Sequence, residues 1–570
     1  MWRGVFSQWL WWRAHRVGVA YRRAWRVLLA RGPSQLQFWF IALAIGVAAG
    51  LAALGFRKGI IWVQSALYGS DNVQQFHSYA QSLPWYWLLA VPTFGGLCVG
   101  LLLHRFTAEA RAHSVADVIE AAALREGRVD MRTGAVSALA SLITLGAGGS
   151  SGREGPVVHM AAVISTWVSH RIGADGITGR DLMGCAVAAA VSASFNAPIA
   201  GALFALEVIL RHFAVHAFAP VVIASAAGAV ISRLEFGDVA QFVLPAENAL
   251  QFYQELPAFL MLGGVCGLVA VAMMRAIFWG DGVASRIQKH TGVPRWLRPM
   301  VAGVLLGGLA IWYPHIIGVG YETTSAALSG EILLREAIIF VILKAIALTI
   351  TLAGRMGGGV FSPSLMVGAL TGLSFGWIAT AVFPNASGAE TLYALAGMGA
   401  VAAAVLGAPI STILIVFELT GDWQTGLAVM VSVSVSTMLS SRLVVRSFFL
   451  TQLERRHIRI AAGPHSYVLS LLRVGAIMRK PQAADAATIA RCQQMIAQGT
   501  RLPASATLET ALPMLDGAEA GFLPVLAADM REEEGEAAGA SPVLVGILYH
   551  IDALKAYNHA LAATAAEEHS

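Results

Sequence analysis

Between Phe38 and Val445 the apolar positions gather into long runs separated by short polar breaks. The runs include Phe38–Phe56, Trp85–Leu103, Gly134–Leu145, Leu182–Phe195, Phe218–Ile231, Phe259–Phe278, Val301–Trp312, Ala337–Leu352, Leu365–Phe383 and Leu427–Ser441. They are rich in Gly and Ala and lack the alternation of barrel strands, so they predict helices. Many are shorter than the roughly 20 residues of a full crossing, and several are interrupted by Gly or Pro. Short, broken helices suit a transporter or channel whose irregular backbone lines a polar cavity.

A repeat runs through this region. Ala-Pro-Ile at 197–199 is followed by Glu207, and Ala-Pro-Ile at 408–410 by Glu418, an offset of 211. The loop GAGGSSGREGP at 146–156 has a counterpart, GRMGGGVFSP, at 354–363, with the closing prolines 207 apart. Two loop-plus-helix units at nearly one offset predict a duplicated membrane core, about 35–235 and 255–457, with the binding site where the halves meet.

Composition narrows the class. Hydrophobic residues are 56% and charged residues 13% of the 570, against about 25% charged in a soluble protein. A soluble fold could not cover that much apolar surface, which excludes a soluble enzyme, a disordered scaffold and a fibrous protein. The net charge of +5 is unevenly placed. Residues 1–34 carry seven Arg and no acid, interleaved with Trp2, Phe6, Trp9, Trp11, Trp12 and Trp25. This segment reads as a cytoplasmic amphipathic helix on the membrane surface, not a signal peptide. Arg442, Arg446, Arg455, Arg456 and Arg459 follow the last apolar run. Basic groups at both flanks place both termini in the cytoplasm and speak against nucleic acid. Cys98, Cys185, Cys266 and Cys492 share no metal or disulfide spacing and read as small core residues.

Residues 458–570 are more polar, with an acidic stretch REEEGE at 531–536, and predict a small α/β cytoplasmic tail. Strands are expected at Phe522–Leu526 and Val543–Leu548, with a helix from Asp552 onward.

The sequence Gly152-Arg153-Glu154-Gly155-Pro156 is the most informative chemically. Pro near a helix start presets the turn, and the preceding glycines free the backbone. The unpaired amides of such a terminus, with the helix dipole, make an anion site without a full cation. Gly359-Val360-Phe361-Ser362-Pro363 can do the same from the other half. Either loop alone reads more simply as a tight turn; the pair points to a small anion. A carboxylate at Glu154 could occupy that site when charged and leave it when protonated.

GREGP, GGGVFSP and FNAPIAGALFALE together resemble the CLC family of chloride channels and chloride/proton exchangers, over about residues 35–457. The resemblance implies many tilted helices in two inverted halves and a homodimer with one pore per subunit. It implies that amides near Arg153, Glu154, Gly155, Val360, Phe361 and Ser362 hold chloride, and that Glu154 is the gating glutamate. It also marks three departures. His113, beside Ser114, stands at the position of the family's chloride-coordinating serine. Phe449 replaces the tyrosine whose hydroxyl reaches chloride. Glu207-Val208 stands where well-characterised exchangers have Glu-Glu, so the internal proton station is missing at Val208, and Glu207, one residue before it, is the other candidate position on a proton path. The tail weakly resembles one module of the cystathionine-beta-synthase type, through 507–515, 522–526 and 543–557.

His113 could bind chloride, titrate, or merely hold backbone. Its i, i+4 relation to Asp117 lacks a third ligand for a metal. Glu207 and Glu418 read as structural anchors at helix ends. Gly149-Ser150-Ser151-Gly152 also fits a rhomboid-type intramembrane protease, but no partner histidine is evident on a later apolar run. The expectation is therefore an all-α polytopic membrane protein of the bacterial inner membrane, conducting chloride and other small monovalent anions. No enzyme activity, metal or organic cofactor is expected. Channel-like permeation gated at Glu154 is favoured over chloride/proton exchange through a non-standard relay.

Overall fold

The computed structural model describes residues 35–569 except 70–74, 175, 214, 238–254, 385–388, 422, 445, 459, 461–468, 470–471, 482–485, 519 and 527–543. The Arg- and Trp-rich segment 1–34 and the acidic stretch 531–536 lie outside the described residues. What is described falls into two compact units, the second beginning at Ile460.

The first unit is all helix, and each predicted apolar run lies within one, save that Leu365–Phe383 ends one residue past its helix Phe361–Val382. Among the described residues seven helical spans are long and apolar enough to cross a membrane: Gln35–Tyr68, Trp85–Phe106, Ala217–Phe236, Leu256–Thr291, Leu334–Ala353, Phe361–Val382 and Thr425–Glu454. Some outrun their apolar runs by several turns. Leu256–Thr291 continues for 36 residues because its far end carries Arg286, Gln288 and Lys289, good helix formers where apolar cover is no longer required. Shorter helices fill the interior. Glu390–Leu406 is buried on every face, and Gly176–Phe195 is buried from Gly179 onward. That is why their sequences show no polar stripe.

Close crossings of small residues hold the bundle. A Cβ on Gly100 would stand 1.9 Å from the Trp296 carbonyl oxygen, and one on Gly303 would stand 2.2 Å from that of Pro92. With no hydrophobic drive between helices in lipid, backbone approach of this kind supplies packing that larger side chains would forbid.

The two repeats meet reciprocally. The Glu207 carboxylate accepts from the Ile410 and Ser411 amides at 3.0 and 2.8 Å. The Glu418 carboxylate accepts from the Ile199 and Ala200 amides at 2.9 and 2.8 Å. Each half thus caps the Ala-Pro-Ile helix of the other, satisfying amides that a helix start leaves open. The Gly-rich loops also pair antiparallel: Gly152 N donates to Gly359 O at 2.7 Å and Gly359 N to Gly152 O at 2.8 Å.

The second unit holds a three-stranded sheet in the order β1-β2-β3. Leu502–Pro503 (β1) runs parallel to Phe522–Leu526 (β2), which pairs antiparallel with Leu544–Tyr549 (β3). Helices Leu508–Asp516 and His550–His569 follow β1 and β3. The last helix begins two residues before the expected Asp552. Leu508, Leu515, Leu523, Val525 and Leu548 close an apolar core of their own. The Arg479 guanidinium donates to Asp552 at 2.6 and 2.8 Å, and these bonds hold the Asp552 carboxyl below the usual carboxylate range.

Candidate anion site

Two helix starts face each other across the paired loops. The first is Glu154–Ile172, with Arg153 at its N-cap; the second is Phe361–Val382, with Val360 at its N-cap. Gly358 makes the approach possible. Its φ is +134°, and a Cβ there would lie 2.0 Å from the Ser151 hydroxyl, so only glycine fits. Ser151 Oγ itself donates to the Gly357 carbonyl at 3.2 Å. The hydroxyl that suggested a protease nucleophile therefore joins the two loops.

The Glu154 side chain is almost wholly buried at 1% exposure, and its carboxylate lies on the other half's helix start. Oε1 accepts from Ser362 Oγ at 2.5 Å and from the Tyr321 hydroxyl at 3.1 Å. Oε2 lies 3.4 Å from the Ser362 amide nitrogen, which donates to it. The negative group thus occupies the place where the second terminus would receive an anion. Arg153 does not take the carboxylate directly. Its Nε is 3.8 Å from Oε1, its terminal nitrogen donates to Ser194 O at 3.1 Å, and its guanidinium covers the Tyr321 ring at 4.8 Å.

A third helix start, Val115–Leu124, approaches the same point, since a Cβ on Gly155 would meet Gly359 Cα at 3.3 Å and Ser114 Cβ at 3.8 Å. Asp117 fixes this terminus. It accepts from Ser114 N at 2.8 Å, from Arg111 at 2.8 and 3.2 Å, and from Arg456 at 2.9 Å. The His113 backbone amide donates to Ser137 Oγ at 3.0 Å, and its ring meets that of His159 edge-on with centroids 5.6 Å apart. His159 is 2% exposed, and its two ring nitrogens have no hydrogen-bond partner among the described residues.

A cavity of about 1330 Å³ opens against these termini. His113, Ser114, Glu154, Gly155, Val360, Phe361 and Phe449 line it; Arg153, Ser362, Glu207 and Val208 are not among its lining residues. Val208 is buried in the π-helical turn Ala205–Leu210, and the Glu207 carboxylate is on the helix start at Ile410. Nine basic side chains line the cavity against six acidic ones, so its field attracts anions. Arg455 and Arg456, read from sequence as a membrane flank, are part of this wall. Among the described residues no group of three or more His, Cys, Asp or Glu is disposed to hold a metal ion.

Comparison with known proteins agrees with this geometry. The family model described as voltage gated chloride channel matches residues 95–441. The chain belongs to that family. It is 32% identical over 396 residues to a putative chloride channel protein ClcB-like of Ralstonia nicotianae, covering 69% of this chain and 91% of the relative. It is 28% identical over 413 residues to the voltage-gated ClC-type chloride channel ClcB of Escherichia coli, covering 71% and 95%. Among solved structures, a slow cyanobacterial Cl⁻/H⁺ antiporter aligns with a TM-score of 0.65 at 19% identity, over 74% of this chain and 97% of the other. A eukaryotic CLC transporter aligns with a TM-score of 0.63 at 18% identity, over 91% and 98%. The family relation establishes a multi-pass integral membrane protein with the two-half helical core of chloride transporters.

Sequence reasoning missed Tyr321, His159 and Lys344. Tyr321 follows two glycines with positive φ, Gly318 at +63° and Gly320 at +94°. Gly-Val-Gly-Tyr marks a turn, but it lies outside both repeated motifs. His159 stands five residues beyond Glu154 on the same helix, a spacing that carries no motif.

Proposed function

We propose that this chain passes chloride and other small monovalent anions by channel-like, voltage- or pH-gated permeation, with Glu154 as the gate. The carrying observation is the Glu154 carboxylate seated on the Ser362 amide and hydroxyl. A carboxylate so placed competes with the anion for the same donors, and protonation removes the charge that holds it there. Once it leaves, helix-terminus amides from both halves replace water around the anion. On this reading His113, Ser114, Arg153, Gly155, Val360, Phe361, Ser362 and Phe449 surround the path, and the basic cavity is its cytoplasmic mouth.

The setting we propose is the bacterial inner membrane, with both termini in the cytoplasm and two chains associating through lipid-facing helices. Exposed Ile199, Val230, Leu234, Ile410 and Met438 on the first unit's surface support a lipid or partner-helix contact. The tail from 458 is read as one degenerate module of the cystathionine-beta-synthase type.

Chloride/proton exchange is the second reading, favoured by the His113–His159 ring pair in the cavity wall, which could stand in for an acid at Val208. The deciding experiment uses purified protein in chloride-loaded liposomes with chloride and proton flux followed together. Chloride efflux on addition of a potassium ionophore, carried equally by nitrate but not gluconate, is expected. Uphill proton movement driven by a chloride gradient would replace the channel reading with exchange. Potassium flux without anion flux would remove both.

A further inference from the structure

We propose that Tyr321 is the latch of the gate: its hydroxyl holds the Glu154 carboxylate on the second half's helix start, and its own position is set by the buried Lys344 side chain. This rests on the reading of Glu154 as the gate.

Tyr321 is the first residue of the helix Tyr321–Leu328 and is 7% exposed. Its hydroxyl donates to Glu154 Oε1 at 3.1 Å and lies 3.4 Å from Ser362 Oγ. A charged carboxylate gains from each donor far more than a neutral one does. The hydroxyl therefore favours the seated, ionised gate. When the carboxylate leaves, the Ser362 hydroxyl is close enough to take the tyrosine's hydrogen bond, so release strands no buried donor. The charged groups around this hydroxyl are Glu154, Arg153 over the ring, and Arg57 from the helix Gln35–Tyr68. From Phe361–Val382 the facing group is the neutral Ser362.

The turn before Tyr321 is pinned from two sides. Lys344, on Leu334–Ala353, is fully buried at 0% exposure, and its Nζ donates to the Ile316 and Gly318 carbonyls at 3.0 and 2.9 Å. Placing a lysine there is costly, and two carbonyls from one turn make the cost intelligible as positioning. A Cβ on Gly320 would stand 3.3 Å from that Nζ, so the turn lies directly against the lysine. On the other side Glu322 accepts from the His77 amide at 2.8 Å and the Ser78 amide at 3.3 Å. With neighbours anchored both ways, the Tyr321 ring cannot follow the carboxylate when it swings out.

The test is the pH profile of chloride flux in liposomes for parent, Tyr321→Phe, Glu154→Gln and the double variant. Tyr321→Phe keeps the ring under Arg153 and removes only the hydroxyl. Its activation midpoint is expected to move to higher pH by about one unit, because the ionised gate loses one donor. The double variant is expected to match Glu154→Gln, since nothing remains to be latched. A Tyr321→Phe profile superimposable on the parent overturns the latch. So does a change of equal size in both the parent and Glu154→Gln backgrounds, which would make Tyr321 part of the anion path or the packing. If Glu154→Gln itself behaves as the parent, the gate reading fails before the latch does. Thermal melting of Lys344→Met against Tyr321→Phe separates positioning from folding. A shifted pH profile with a parent-like melt in Tyr321→Phe supports the latch, and a shift that appears only with lost stability overturns it.

Discussion

At the start of the first half's central helix stand Arg153, Glu154 and Gly155; 207 residues later the second half has Val360, Phe361 and Ser362 in the same places. One half brings the carboxylate, and the other brings the amide and hydroxyl that receive it. The Ala-Pro-Ile helices show the opposite behaviour. Glu207 and Glu418, 211 residues apart, do the same work, each capping the other's helix through two amides. Where the repeat keeps its symmetry, a half-buried charge holds the halves together. Where the repeat breaks its symmetry, the charge has no counterpart to balance it, and the gate we propose is placed there. An acidic residue's role in this core can therefore be judged by asking what stands 207 to 211 residues away.

The sharpest attempt to break this contrast is Glu154→Gln. It removes the charge from the asymmetric position and keeps the shape. We expect chloride flux at neutral pH to rise about a hundredfold and its pH dependence to vanish, since several charge-assisted bonds holding the gate are lost. A parent-like pH profile in a folded variant would make Glu154 as structural as Glu418.

Next come the symmetric acids. Glu207→Ala and Glu418→Ala each leave two helix-start amides without an acceptor, at a cost of about 2 kcal/mol. The two variants are expected to lose similar thermal stability in the same detergent while the pH midpoint of flux stays put. A loss of proton-coupled flux confined to Glu207→Ala would show that the halves differ here too, and would return Glu207 to the proton path.

Ser362→Ala tests the seat from the other side. One hydroxyl donor is lost while the Ser362 amide remains, so the ionised gate is held less firmly. The expected outcome is an activation midpoint about one pH unit higher, with peak flux little changed. A midpoint moved downward would mean that the hydroxyl serves the protonated gate instead.

The smallest effect belongs to the tail, where a carboxylate is held by an exposed guanidinium and not by helix-start amides. Asp552 has a depressed folded-state pKa, so its contribution is complete above the ordinary Asp range and fades as pH falls through the folded value. Solvent screens the pair. Hydrogen exchange of residues 544–557 in the whole protein should show slightly faster opening at acid pH in the parent. Asp552→Asn should remove that difference and leave chloride flux alone. A large effect on either would mean the pair carries more than its exposure allows.

The helical class, the duplication and both Gly-rich loops are legible in the sequence because each leaves a local mark: apolar runs, a constant offset, and glycine with proline at a helix start. Glu154 is legible because it sits inside such a mark. Its receiving group is less so. Ser362 was placed with the anion amides, but the contact of its hydroxyl with a carboxylate 208 residues away exists only in the folded chain. Tyr321 and Lys344 were invisible for the same reason. One lies in an unrepeated turn, and the other is a single lysine in an apolar run whose two carbonyl partners lie 26 and 28 residues upstream. The basic wall was half legible. Arg455 and Arg456 showed as charge at a membrane end, while their share in one cavity with Arg111 and Arg298 depends on tertiary folding.

The Gly152–Gly359 pairing also has a consequence for biosynthesis. The two strands of that bridge are made 207 residues apart, which at ribosomal speeds of 5–20 residues per second is a delay of roughly 10 to 40 s. Throughout that interval the first loop is already in place with its amide and carbonyl unmatched, in surroundings that penalise bare backbone. The nascent first half must therefore keep that loop wet or sheltered until its partner emerges. A ribosome stalled between the two loops would release a chain in which Glu154 has been made but the Ser362 amide and hydroxyl that receive it have not.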